Sequence, residues 1–222
     1  KRTLDTTNYY VDVNWTSSAT MKREGAHYFK LQPVSGKGLF ECSFSFTEKK
    51  PVTTITNFAK TKQSSELTWK KFWLSGGAVD FSQVKEARAF ELERRVVLSQ
   101  YLTKVQCSAA YPPQETGLTY NSWYGKPHLE MHWWHAVHFA QWGRPELMEK
   151  SLDWYFTVAE KAKLIAKRQG FEGARWQKMT DLYGDESPSS VAAYLIWQQP
   201  HILYFVEQLY AQDSSVALLE KY

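Results

Sequence analysis

Indoles, imidazoles and amides crowd one stretch of the chain. Seven of the ten tryptophans and five of the six histidines fall between residues 123 and 201. The densest part holds Tyr120, Asn121, Trp123, Tyr124, Lys126, His128, Glu130, His132, Trp133, Trp134 and His135. A second cluster follows with Arg175, Trp176, Asp185 and Glu186. Flat aromatic faces beside amides, carboxylates and imidazoles suit a polyhydroxylated ring. Its C–H faces pack on indoles, while its hydroxyls need donors and acceptors together. Asn121, Trp123, Tyr124, Lys126, His128, Glu130, His132, Arg175, Trp176 and Glu186 are the candidate substrate-binding residues.

Each has a plainer reading. His128, His132 and His135 step by four and three, a helical spacing that can ligate a metal. No His-Glu-x-x-His pattern accompanies it, and helical histidines often only hydrogen-bond, so neither a metal nor another cofactor is expected. Glu130 falls in a first helical turn, where the dipole favours a carboxylate whatever it binds. His138 and His201 read as satisfied interior histidines, and Trp133, Trp142 and Trp154 as core.

The elements that position these residues change character along the chain. Residues 9–57 favour strands, at Tyr9–Val13, Tyr28–Leu31, Leu39–Phe46 and Val52–Thr56, punctuated by Gly25, Pro33, Gly36, Gly38 and Pro51. Phe40, Cys42, Phe44 and Phe46 alternate with polar residues, as on a half-buried strand. This reads as antiparallel sheet over 1–60, the end of a β-sandwich, followed by a linker over 61–81. From Ser82 the period turns helical. Helices are expected over about 82–106, 127–142, 145–169 and 187–211, with Asp80 or Ser82 capping the first and Pro200 kinking the fourth. Gly143 and Gly170 end the second and third, and Asp213 or Ser214 caps a fifth.

Helices two and three are joined tightly, whereas long loops precede helix two and follow helix three. In an up-down array alternate connections lie at one end, so both long loops are expected on one face. Loops of that length are usually functional. Helices two and four start from that face, with their positive ends towards it.

Composition narrows the classes. The 222 residues are 43% hydrophobic, 16% aromatic and 23% charged, with a net charge of +4. That describes a folded chain with a real core, not a disordered or collagenous one. Cys42 and Cys107 lie far apart, excluding a disulfide framework or a zinc cluster, and read as two buried thiols in preference to one bridge. No apolar run approaches a membrane span. Residues 1–106 carry a net +7 and residues 107–222 a net −3. The aromatic-rich part is thus the acidic one, which argues against nucleic acid. The chain opens on Lys1-Arg2 without Met or a signal segment and reads as a processed or excised piece, with a periplasmic or extracellular setting favoured. Asn14-Trp15-Thr16 fits a glycosylation acceptor, a pattern short enough to recur by chance.

Three runs together carry a resemblance: Gly117 to Trp134, Gly170-Phe171-Glu172-Gly173-Ala174-Arg175-Trp176, and Trp197-Gln198-Gln199-Pro200-His201. In this order they resemble the six-hairpin glycosidase superfamily, and are similar to the maltose/trehalose phosphorylase and inverting α-L-fucosidase families. The resemblance covers about residues 72–222. It implies a β-sandwich and linker helices followed by an (α/α)6 barrel. Asn121 matches the first asparagine of the fucosidases' Asn-x-Asn segment, while Trp123 stands at the second. His128 matches the histidine of the phosphorylases' His-x-x-Trp-Asp segment, with Met131 and His132 in place of Trp-Asp. Arg175, Trp176 and Glu186 match positions that contact sugar.

The resemblance implies a glycoside hydrolase, inverting and acting on an α-linked oligosaccharide or glycoside. Four full helices fall short of six hairpins, so the chain reads as the first part of the barrel. The general acid then belongs to the remainder of the same enzyme, and this piece alone is expected to be inactive. Two other classes compete. A polysaccharide lyase would use Tyr120, Asn121, Tyr124, His128 and Arg175 to abstract a proton beside a uronate. A catalytically dead glycan-binding piece would keep the loops without turnover.

Overall fold

The computed structural model describes residues 1–5, 7–16, 18–34, 38–53 and 55–222. The chain divides into two compact units, Lys1–Leu74 and Ser75–Tyr222. It is mainly α-helical with small antiparallel sheets near the N-terminus.

In the first unit, β1 (Arg2–Leu4), β2 (Thr7–Trp15) and β5 (Cys42–Thr47) form a sheet in the order β1-β2-β5. A separate hairpin joins β3 (Ala19–Arg23) to β4 (Phe29–Pro33). The register sets Val11 opposite Phe46, Val13 opposite Phe44 and Trp15 opposite Cys42, so the apolar alternation does define one face. That face is not the better covered one: Phe44 and Phe46 are exposed, while Ser43, Ser45 and Thr47 are half-buried. The segment leading into the first helix lies over the serine face, where Ser43 Oγ donates to the Thr56 carbonyl at 2.9 Å. Of the strand expected at Val52–Thr56, residues 52, 53, 55 and 56 are irregular. Thr54 lies outside the described residues, as does Gly36. The segment expected as linker is largely α1 (Phe58–Leu74), started by Asn57, whose Oδ1 accepts from the Lys60 N–H at 3.0 Å.

The second unit contains α2 (Ala89–Cys107), α3 (Leu129–Gln141), α4 (Pro145–Thr157), α5 (Ala159–Arg168), α6 (His201–Gln212) and α7 (Val216–Lys221). Its core is the three-way packing of α3, α4 and α6. Leu129, Ala136, Phe139 and Ala140 of α3, Met148, Leu152 and Tyr155 of α4, and Phe205 and Leu209 of α6 are all buried in it. Trp154 is core, as expected, while Trp133 and Trp142 are half-buried. Cys107 is a buried free thiol, pushed up to about 12 by desolvation, and Cys42 is a half-buried one. No helix among the described residues is long and apolar enough to cross a membrane.

Three helix boundaries differ from expectation, each with a local cause. The first expected helix begins late, because Glu86 binds the Arg88 N–H and guanidinium and Asp80 accepts from Ser82 N. Such side-chain bonds offer the backbone an alternative to the helical ladder. The third is two helices, broken at Val158 (φ −110°, ψ 13°) just after Thr157, whose hydroxyl takes the Trp154 carbonyl at 2.7 Å. The fourth is confined to α6. Residues 188–200 are mostly irregular, with a short 3-10 turn at Ala192–Tyr194, and Arg175 and Gln198 take the carbonyls of Ala193 and Leu195. Pro200 consequently precedes α6 instead of kinking it. Ser215, rather than Asp213 or Ser214, caps α7 by accepting from Leu218 N.

Candidate functional site

The two long loops of the second unit meet in a backbone seam. His128 bridges Met179, Leu129 N donates to the Lys178 carbonyl at 2.8 Å, and Thr180 N donates to the Pro127 carbonyl at 3.1 Å. Glu130 N shares the Lys178 carbonyl at 3.4 Å. The first N–H groups of α3 are therefore spent on the second loop, and its positive end is not open to a ligand as expected.

Side chains knit the first loop from within. Gln106 Oε1 accepts from Leu118 N and Thr119 N. Gln114 bonds Gly117 O and Ser122 N, and Glu115 Oε2 accepts from Ser122 Oγ at 3.1 Å. His135 Nε2 donates to the Glu115 carbonyl at 2.8 Å. So anchored, the loop holds an unusual turn. Trp123, Tyr124 and Gly125 follow one another with φ of 49°, 63° and 67°. Left-handed backbone is unfavourable for residues with a Cβ, and bulky ones adopt it rarely. Here it aims two rings outward: Trp123 is 45% exposed and Tyr124 80%. With Asn121 they line an open depression of about 350 Å³.

Charge sits directly beside it. Lys178 Nζ lies 4.2 Å from the centre of the Trp123 ring and 3.3 Å from Glu130 Oε2. The pair is little exposed, which strengthens both the cation–π contact and the ion pair. The Trp123 and His128 rings lie 6.3 Å apart. His128 is 2% exposed, and neither ring nitrogen has a hydrogen-bond partner among the described residues. Burial holds its proton affinity down, to about 4, against the opposing pull of Glu115. The ring is thus neutral, one nitrogen a donor and the other an acceptor. Gln177, fully buried on the same seam, likewise leaves both amide atoms unpaired.

The remaining candidates have other employment. His132 is fully buried. Ser151 Oγ donates to the Met148 carbonyl, so it accepts from His132 Nε2 at 2.8 Å, and His132 Nδ1 accepts from the Tyr155 hydroxyl at 2.9 Å. Both ring nitrogens of His132 are therefore engaged within the core. No group of three or more metal-ligating side chains is gathered among the described residues. Arg175 braces the second loop through Gln169, Ala193 and Leu195. Trp176 is half-buried, with its indole N–H on the Tyr155 carbonyl and its backbone held by Gln199. Glu186 pairs with Arg168 at 2.9 Å and Asp185 with Lys161 at 2.7 Å. Lys126 is half-buried and closes the left-handed turn through its backbone N–H to Trp123.

Asn121, Trp123, Tyr124, His128 and Glu130 are therefore gathered at the seam, while the side chains of His132, Arg175, Trp176 and Glu186 are engaged elsewhere. Lys178, Glu115 and Gln177 were not among the candidates. Lys178 and Gln177 follow Arg175-Trp176 in the same run, but nothing in their spacing marks a partner 48 residues earlier in the chain. No protein-family model and no curated protein sequence matches the chain.

Proposed function

We propose that this chain supplies the saccharide-gripping loops of an inverting glycoside hydrolase, acting on an α-linked sugar, in which α2 to α7 are the opening hairpins of an (α/α)6 toroid. The observation that carries the reading is the Trp123 ring, presented by a strained turn beside the Lys178–Glu130 pair and near a neutral, unpaired His128. A sugar stacked on that indole would meet the Asn121 amide and the Tyr124 ring in the depression, with the Lys178–Glu130 pair beside it. Strained backbone that exposes a large ring is a feature of ligand clamps. The order of the three resembling runs supports the toroid and the reaction class.

Chemistry divides accordingly. Inversion needs two carboxyl groups about 6.5–9.5 Å apart, one protonated and one activating water. Asp185 and Glu186 are tied to lysine and arginine, and Glu130 to Lys178, so each already has a cationic partner. The general acid belongs to later hairpins of the enzyme.

Hydrolysis of aryl α-glycosides by the enzyme carrying these hairpins, followed by NMR of the first-formed anomer, tests the proposal. Inverted sugar is expected. Retained configuration, or an unsaturated product absorbing in the ultraviolet, would overturn it.

A further inference from the structure

A second aromatic surface lies one helical turn along α3 from Glu130. Trp134, four residues on, shares its helix face. Trp134 meets Trp197 edge-on, with ring centres 5.3 Å apart, and both flank His201 at 6.5 and 5.3 Å. His201 Nδ1 donates to the Leu129 carbonyl at 3.3 Å, which leaves Nε2 as the acceptor of the neutral ring. The groups connect in sequence from Trp123 through Lys178 to Glu130, and one turn along α3 to Trp134 and its partner Trp197. Trp134 is 50% exposed and Trp197 41%.

Two half-exposed indoles locked edge-to-face present one rigid ring surface at little entropic cost. Beside this surface stand the His201 imidazole and, one turn along α3, the Glu130–Lys178 pair, the kind of polar groups that a hydroxylated ring or an aryl glycoside needs next to an aromatic face.

We propose that Trp134 and Trp197 form a second ring-binding platform, which receives the group across the scissile bond from the sugar held at Trp123. The inference rests on the saccharide reading above and adds to it that the substrate carries at least two rings. A glycosyl or an aryl aglycone supplies the same chemistry.

Binding to the 222-residue chain, followed by saturation-transfer NMR and calorimetry, separates the possibilities. Methyl α-D-glucopyranoside and methyl α-L-fucopyranoside are one-ring probes; their p-nitrophenyl counterparts and maltose are two-ring probes. For the preferred sugar, the two-ring probe is expected to bind about tenfold more tightly than the methyl glycoside. Trp134→Ala should bring that ratio close to one, and Trp134→Phe should retain part of it. Trp123→Ala should weaken both probes alike. Far-UV circular dichroism and the Trp154 indole resonance check that the variants fold. Equal affinity for both probe classes, or a Trp134→Ala loss shared by both, would overturn the second platform and leave the first intact. Failure of the folded chain to bind any probe would overturn both.

Discussion

His128 and Gln177 are hard to account for as scaffold. A buried polar group without a partner costs about 1–3 kcal/mol, and native structures contain few of them. On the saccharide reading, the four unpaired atoms in two residues on one seam are groups kept for a ligand at the expense of stability. Gln177→Met should therefore raise the unfolding free energy of the second unit by about 1 kcal/mol and weaken saccharide binding. Urea titration and calorimetry read the two effects. Unchanged binding in a stabilised variant would relegate Gln177 to scaffold. His132 behaves oppositely. His132→Phe strands the Tyr155 hydroxyl in the core and should cost about 3 kcal/mol. At this scale the sequence was half legible. Residue types named the chemistry, and Asn121, Trp123, Tyr124, His128 and Glu130 do assemble. Helical spacing could not tell His128, at the helix edge beside the seam, from His132, which α4 covers.

Elements set the geometry that residues alone do not announce. The up-down reading placed both long loops at one end of the array, and they meet there because the loops pair through backbone groups of Pro127, Leu129, Lys178 and Thr180. The tight side of the array depends on Gly76. Its φ is +63°, and an added Cβ would stand 2.2 Å from the Trp142 carbonyl oxygen, next to the Gly77 N–H bond to that same carbonyl. Gly76→Ala should lower stability by about 2 kcal/mol or more, checked by the urea midpoint. The left-handed turn predicts the reverse sign. Tyr124→Gly removes a Cβ from a positive-φ position and should stabilise by up to about 1 kcal/mol, while reducing saccharide affinity. Helix ends were less legible than helix faces. Glu86, Thr157, Arg175 and Gln198 capture backbone groups that propensity alone assigns to helices.

For the whole molecule, the change from period-two to helical patterning marked the β-to-α order of the chain. The coverage of the first sheet was not legible. Alternation fixes which residues share a face, whereas burial depends on what packs there, and in β5 the serine face is the covered one. The histidines of the second unit give the chain a collective property. His128, His132, His135, His138 and His201 all have proton affinities held below the usual imidazole value, with burial the largest cause in each. The folded state then binds fewer protons than the unfolded one below about pH 6.5. Their contribution is fully present above that pH and is lost as pH falls, with the His128 share levelling off near 4. Stability should drop by more than about 1.4 kcal/mol per pH unit between pH 6 and 5, as read by urea midpoints followed through tryptophan fluorescence.

In a chain labelled with nitrogen-15, titration with methyl and p-nitrophenyl α-glycosides should move the indole N–H resonance of Trp123. Trp154, whose indole donates to the Leu182 carbonyl inside the core, should stay in place. Lys178→Met should diminish the Trp123 response without unfolding the second unit. A Trp123 resonance indifferent to every glycoside, in a chain whose Trp154 signal reports a native core, would contradict the account.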